Sequence, residues 1–171
     1  MQAKLTFLLL LAAASLVPTI SAAAPPVEPP ELPSVEEARG RARLLHETIH
    51  ATLQIVHHEY YREDEALTIP AATLKGVFRE VADRQKVGLR WLAVDAQAMN
   101  VDHQPRDEFE KQAVQALTSG KDEYERVENG MYRRVSTITL TSDCLKCHAP
   151  NRTSNKDRTA GLTISMPVAA P

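Results

Sequence analysis

Cysteine is scarce: the 171-residue chain has two, and both fall in one five-residue run, Cys144-Leu145-Lys146-Cys147-His148. A structural zinc site wants four Cys or His ligands, usually from two such pairs, and there is no second pair. A structural disulfide would have to consume the run itself, which sets the chain apart from disulfide-stapled exported domains. An excess of basic charge is missing as well. With 20 Lys and Arg against 22 Asp and Glu, the formal charge is −2, and no basic run is sustained. That argues against nucleic acid or anionic lipid as the main partner. There is no internal repeat, and no segment after the first residues is apolar for long enough to span a bilayer.

What the two cysteines do have is spacing. C-x-x-C-H is the pattern of c-type haem attachment. Two intervening residues let both thiols reach the two vinyl groups of one porphyrin, and the adjacent histidine reaches the iron as proximal axial ligand. A thioredoxin-type pair would be expected in a βαβ context at a helix start, whereas this pair lies close to the C-terminus. The expectation is one covalent haem c on Cys144 and Cys147, with His148 on the iron.

The start of the chain points the same way. Lys4 precedes an apolar run, Leu5 to Val17, too short to cross a membrane. Pro18 and Ser21-Ala22-Ala23-Ala24 follow, an A-x-A-like cleavage site. Residues 1–24 therefore read as a secretory signal peptide, cut after Ala23 or Ala24, with no cysteine there for a lipid anchor. The mature protein is expected to be periplasmic or secreted, with no membrane span. Residues 25–33, with Pro25, Pro26, Pro29, Pro30 and Pro33, read as an extended spacer. Residues 34–171 suit one domain with a single core.

Within that domain a long helix is expected from about Ser34 to Tyr61, opened by the capping-box pair Ser34 and Glu37. Ala42, Leu45, Ile49, Leu53, Val56 and Tyr60 form its apolar stripe. His46, His50 and His57 fall along one edge of the stripe, and His58 points away. Pro70 opens a second helix that buries Leu74, Val77, Phe78, Val81 and Ala82 and ends with Gly88 as its C′ glycine. A strand, Leu89 to Val94, and a loop, Asp95 to Pro105, lead to a third helix over Arg106 to Ser119, burying Phe109, Ala113, Ala116 and Leu117. Glu123 to Glu128 and Met131 to Leu140 make a hairpin about Asn129-Gly130, both of which tolerate positive φ. The haem motif is expected on a loop, and a last strand runs from Gly161 to Val168 with Leu162, Ile164 and Met166 alternating against Thr163 and Ser165. The order implies an α+β domain. Arg133, Arg134, Arg152, Lys156 and Arg158 flank the motif and are expected as solvated surface charges that could reach haem propionates.

A rival motif, His46-Glu47-Thr48-Ile49-His50, fits the H-E-x-x-H of a zinc metalloprotease. Too few residues precede it for the sheet that covers such a helix, no metzincin continuation follows, and nothing singles out a third ligand among Glu63, Glu65 and His57. A small haem peroxidase is another alternative, although no histidine–arginine pair stands out as its distal catalysts.

The chain resembles a family of secreted, PAS-like domains that carry one c-type haem near the C-terminus, catalogued largely as a domain of unknown function. The resemblance rests on the long N-terminal helix, Leu89-Arg90-Trp91-Leu92-Ala93-Val94, the segment from Met99-Asn100 to Glu110, Ser142-Asp143 with the C-x-x-C-H, and Ala160-Gly161-Leu162-Thr163-Ile164-Ser165. It implies an α+β, PAS-like antiparallel sheet with a long N-terminal helix and packed helices. It also implies a role in redox or small-ligand sensing, or in electron transfer. Such a protein needs a redox partner or signalling protein, and a sensor could take a diatomic gas. In part of the family a cysteine from the N-terminal half is the second axial ligand, and this chain has none there. The sixth ligand must then be a sulfur or imidazole able to fold over the haem. His50, His57, Met99 and His103 are the candidates, with Met166 expected in the sheet core. His57 is preferred, because a helix holds a ligand more rigidly than a loop does.

Overall fold

Ser34 starts the folded part by accepting from the Glu37 amide, while the Glu37 carboxylate accepts from the Ser34 amide at 2.8 Å. This reciprocal cap opens α1, Val35–Tyr60. The fold is taken from a computed structural model that describes residues 31–65, 67–95, 100–149 and 151–170, the side chains of Glu63 and Cys147 excepted. The expected signal peptide, most of the spacer and Met99 lie outside the described residues. Pro33, the last spacer proline, accepts a backbone hydrogen bond from Ala169 at 2.9 Å, which ties the segment before α1 to the segment after the last strand.

α2 is Pro70–Gln85, with proline in the first turn where a missing N–H costs nothing. Four strands follow: β1 Gly88–Ala93, β2 Glu123–Glu128, β3 Met131–Leu140 and β4 Arg158–Pro167. They form one antiparallel sheet in the order β1-β4-β3-β2. α3, Glu108–Thr118, lies between β1 and β2 in the chain, and the short α4, Ser142–His148, lies between β3 and β4. The architecture is α+β with a long N-terminal helix, as expected. No helix among the described residues is long and apolar enough to cross a membrane.

Both faces of the sheet are covered. On one, α1 and α2 bury Trp91, Tyr132, Ile138, Leu162, Ile164 and Met166 with Ala38, Ala42, Ile49 and Phe78. On the other, α3 covers Leu92 and Val135 with Phe109, Ala113 and Leu117. This second cover explains why Thr163, on the polar side of β4's alternation, is buried rather than solvated. Gly161 fits the middle strand because a Cβ there would meet the Val135 Cγ1 at 2.9 Å.

The structure departs from the sequence-based expectations at four places. Lys86, at φ 56°, takes the left-handed position after α2, its amide donating to the Ala82 carbonyl. Gly88 instead lets β1 pass Ser165, whose Oγ would sit 2.5 Å from an added Cβ. Val77 and Tyr60 are exposed, since α2 meets the sheet through Phe78 and the last turn of α1 projects from the core. Arg134 is buried beside Ser136 and paired with Glu123, and Arg133 is paired with Asp107, so neither is a solvated charge.

Candidate functional site

The fourth departure concerns the cysteine run, which is helical and not a loop. Thr141 is extended, and Leu145 then closes the first turn of α4 by donating its amide to the Thr141 carbonyl at 3.0 Å. Leu145 is fully buried and pins the helix to the fold. At the other end the Arg152 guanidinium donates to the Leu145 and Ala149 carbonyls at 3.1 and 3.5 Å, placing a cation on the helix C-terminus. Helical spacing puts residues four apart, here Cys144 and His148, on one face.

That face meets α1. Cys144 and His148 line a small cavity with His57, Leu53, Gln54 and Tyr61 from α1 and its C-cap, Ile69 and Ala71 from the start of α2, and Ile138, Thr139 and Leu140 from the end of β3. The cavity measures about 40 Å³, room for no more than a few waters. Two contacts fix its walls: Gln54 Nε2 donates to the Thr139 carbonyl at 2.9 Å, and the His57 and Tyr61 rings meet at a tilt with centroids 5.0 Å apart. The Cys144 thiol is free and half-buried, with Thr141 Oγ1 at 3.6 Å. Burial, and then the nearby His57, pushes the His148 imidazole below its ordinary pKa. The neutral ring it favours is the form that can give a lone pair to a metal. Beside the cavity, a groove of about 420 Å³ between α1 and α2 shares Leu53 and Tyr61 with it.

Of the residues named from sequence, Cys144, His148 and His57 are thus brought together, and Cys147 lies in α4 with its side chain outside the description. His58 is exposed and Met166 is in the sheet core. His50 lies further back on α1, its Nε2 3.3 Å from Gln54 Nε2. His103 is in a turn of 3-10 helix, Val101–His103, beside β1. His46 is buried, its Nε2–H donating to the Thr137 carbonyl at 2.8 Å. The H-E-x-x-H run therefore faces sheet backbone through its first histidine. Among the described residues no group of three or more His, Cys, Asp or Glu is placed to hold a metal ion. Gln54, Tyr61, Ile69 and Ala71 were not singled out as site residues from the sequence; for Gln54 a signal exists, since it lies between His50 and His57 at helical steps.

Residues 32–163 match the model of the Tll0287-like family. The chain belongs to that family. A similar solved structure is described as the crystal structure of the cyanobacterial heme-protein Tll0287. It aligns at a TM-score of 0.57 and 15% identity, over 79% of this chain and 98% of that one, a likeness of fold. No curated protein matches the chain.

Proposed function

We propose that this member of the Tll0287-like family is an exported c-type haem protein, serving redox or small-ligand sensing or electron transfer. The observation that carries the reading is the convergence of Cys144, His148 and His57, from elements far apart in sequence, on one apolar cavity. The donor set fits haem c. Cys144 and Cys147 would hold it, each S–H adding across one vinyl group, and His148 would be the proximal ligand. Two larger spaces adjoin the cavity, the α1–α2 groove through Leu53 and Tyr61, and one of about 520 Å³ through His57 and Tyr61 that also touches Asp143 and Lys146 of α4; a flat macrocycle would draw on such room. When bound, haem supplies an iron centre that exchanges one electron and can take a diatomic ligand at an open position.

This chain's own residues set the terms of that chemistry. Leu145 and Arg152 hold α4 so that His148 keeps one direction. Leu53, Ile69, Ile138 and Leu140 exclude water. His57 is our choice for the other residue that would hold the iron, since it sits on a 26-residue helix and lines the same cavity as His148. The sheet with helices on both faces supports the PAS-like class that the sequence resemblance implies. The partner would be a redox or signalling protein, and Lys4 with the apolar run after it supports a periplasmic address.

Ferric and ferrous spectra of the haem-loaded protein and of His57→Ala test the ligand. A low-spin six-coordinate wild type and a high-spin variant that binds CO are expected. An unchanged low-spin spectrum and potential in the variant would overturn the choice of His57. Dye oxidation driven by peroxide at enzyme-like rates would favour a peroxidase over a carrier or sensor.

A further inference from the structure

A second, larger cavity lies between α2, the outer edge of β1 and the 3-10 turn that carries His103. It measures about 850 Å³ and shares no lining residue with the cavity at α4, and its size is that of a small-molecule site. One wall is apolar, formed by Phe78, Leu89 and Trp91. The lining also carries Lys75, Arg79, Arg90 and Arg106, against Asp102 as the one acidic residue among the described lining. Arg90 is balanced by Glu110 at 2.6 Å, and Arg106 faces Asp102 at 3.6 Å. Lys75 and Arg79 make no ion pair among the described residues. His103 also lines the cavity, and its Nε2 is buried with no hydrogen-bond partner. Lys75 is half-buried and Arg79 exposed, both without an ion-pair partner among the described residues, and where the His103 Nε2 carries the ring proton it too lacks an acceptor; one ligand acceptor would serve all three.

We propose that this cavity binds a carboxylate carried on an apolar body, the carboxylate on Lys75, Arg79 and His103 and the body against Phe78 and Trp91. A carboxylate is the group that both cations and an imidazole N–H can serve at once. Two sources share that chemistry: a free small organic acid, and the propionate edge of a haem. The free-acid arm stands without the haem reading, and only the propionate arm rests on it.

Calorimetric titration of the full protein, isolated from cells that attach haem, with benzoate, benzamide and acetate separates the sources. A free-acid site binds benzoate saturably, at least tenfold tighter than benzamide or acetate. It loses at least tenfold in Lys75→Ala/Arg79→Ala, and several-fold in His103→Gln as an independent variant. A propionate site binds no added acid, but the double variant lowers the haem potential, because removing positive charge favours the ferric state. The inference is overturned if benzamide binds as well as benzoate. It is equally overturned if no acid binds while the double variant, folded by circular dichroism, leaves the potential or, in protein without haem, all titrations unchanged.

Discussion

Arg39 and Glu125 show at a single pair of residues how α1 is fastened to the sheet. The Arg39 guanidinium reaches Glu125 Oε1 through Nε at 2.9 Å and Nη2 at 2.7 Å, and Tyr132 Oη donates to Glu125 Oε2 at 2.6 Å. The bond from Arg39 holds the Glu125 carboxyl below its ordinary value of 4.5. A depressed folded value means that the unfolded chain binds the proton first as pH falls. The contribution is therefore full above about pH 4.5 and is lost as pH falls through the folded value. Glu125→Gln should lower the urea midpoint at pH 7, and the gap to wild type should shrink at about pH 3.5. A gap of the same size at both pH values would contradict this account of the pair. The capping box is a second residue-scale device: Ser34→Ala should cost about 1 kcal/mol in urea unfolding, with the spectrum of any bound cofactor unchanged.

At the scale of elements, α4 decides whether the site is held or loose. Its seven residues make two turns at most, and Leu145 is the side chain that anchors them. Leu145→Ala should destabilise the fold by roughly 2–4 kcal/mol and raise amide exchange across Ser142–His148 more than in α1. Equal protection in variant and wild type would show that Arg152 alone holds the helix. Gly161→Ala should also destabilise, by about 1–3 kcal/mol, since Val135 must yield to the new methyl; thermal unfolding measures it.

The elements also show what a sequence can reveal. α1, the Pro70 start of α2 and the Asn129-Gly130 hairpin were legible because each carries its own local cause: a capping box, a fixed φ, and φ values of 52° and 71°. α4 was not, because a run of two turns is too short for helical periodicity to stand out. Gly88 was misread because glycine favours two situations equally, a left-handed cap and a close approach, and only the partner strand tells which applies. Arg134 reads as a surface charge from sequence because its partner Glu123 lies across the hairpin, where charge composition gives no hint of pairing.

At the scale of the whole molecule, the sheet order brings the end of α1, the start of α2, the end of β3 and α4 to one cavity. The C-x-x-C-H reading of Cys144, Cys147 and His148 rests on spacing alone. That Cys144 and His148 share a cavity with His57 depends on where a helix some ninety residues earlier crosses the sheet, which spacing does not reveal. The same assembly leaves a second cavity between α2 and β1 with its own cationic lining. The central claim is that the α4 end holds a covalent haem. Intact-mass spectrometry of the denatured protein, with a pyridine haemochrome spectrum on the same sample, tests it most directly. The account predicts one haem's mass above the processed chain, a c-type haemochrome that survives acid-acetone extraction, and loss of the added mass in Cys144→Ser/Cys147→Ser. A colourless protein at the polypeptide's own mass, or haem that extracts freely, would contradict it.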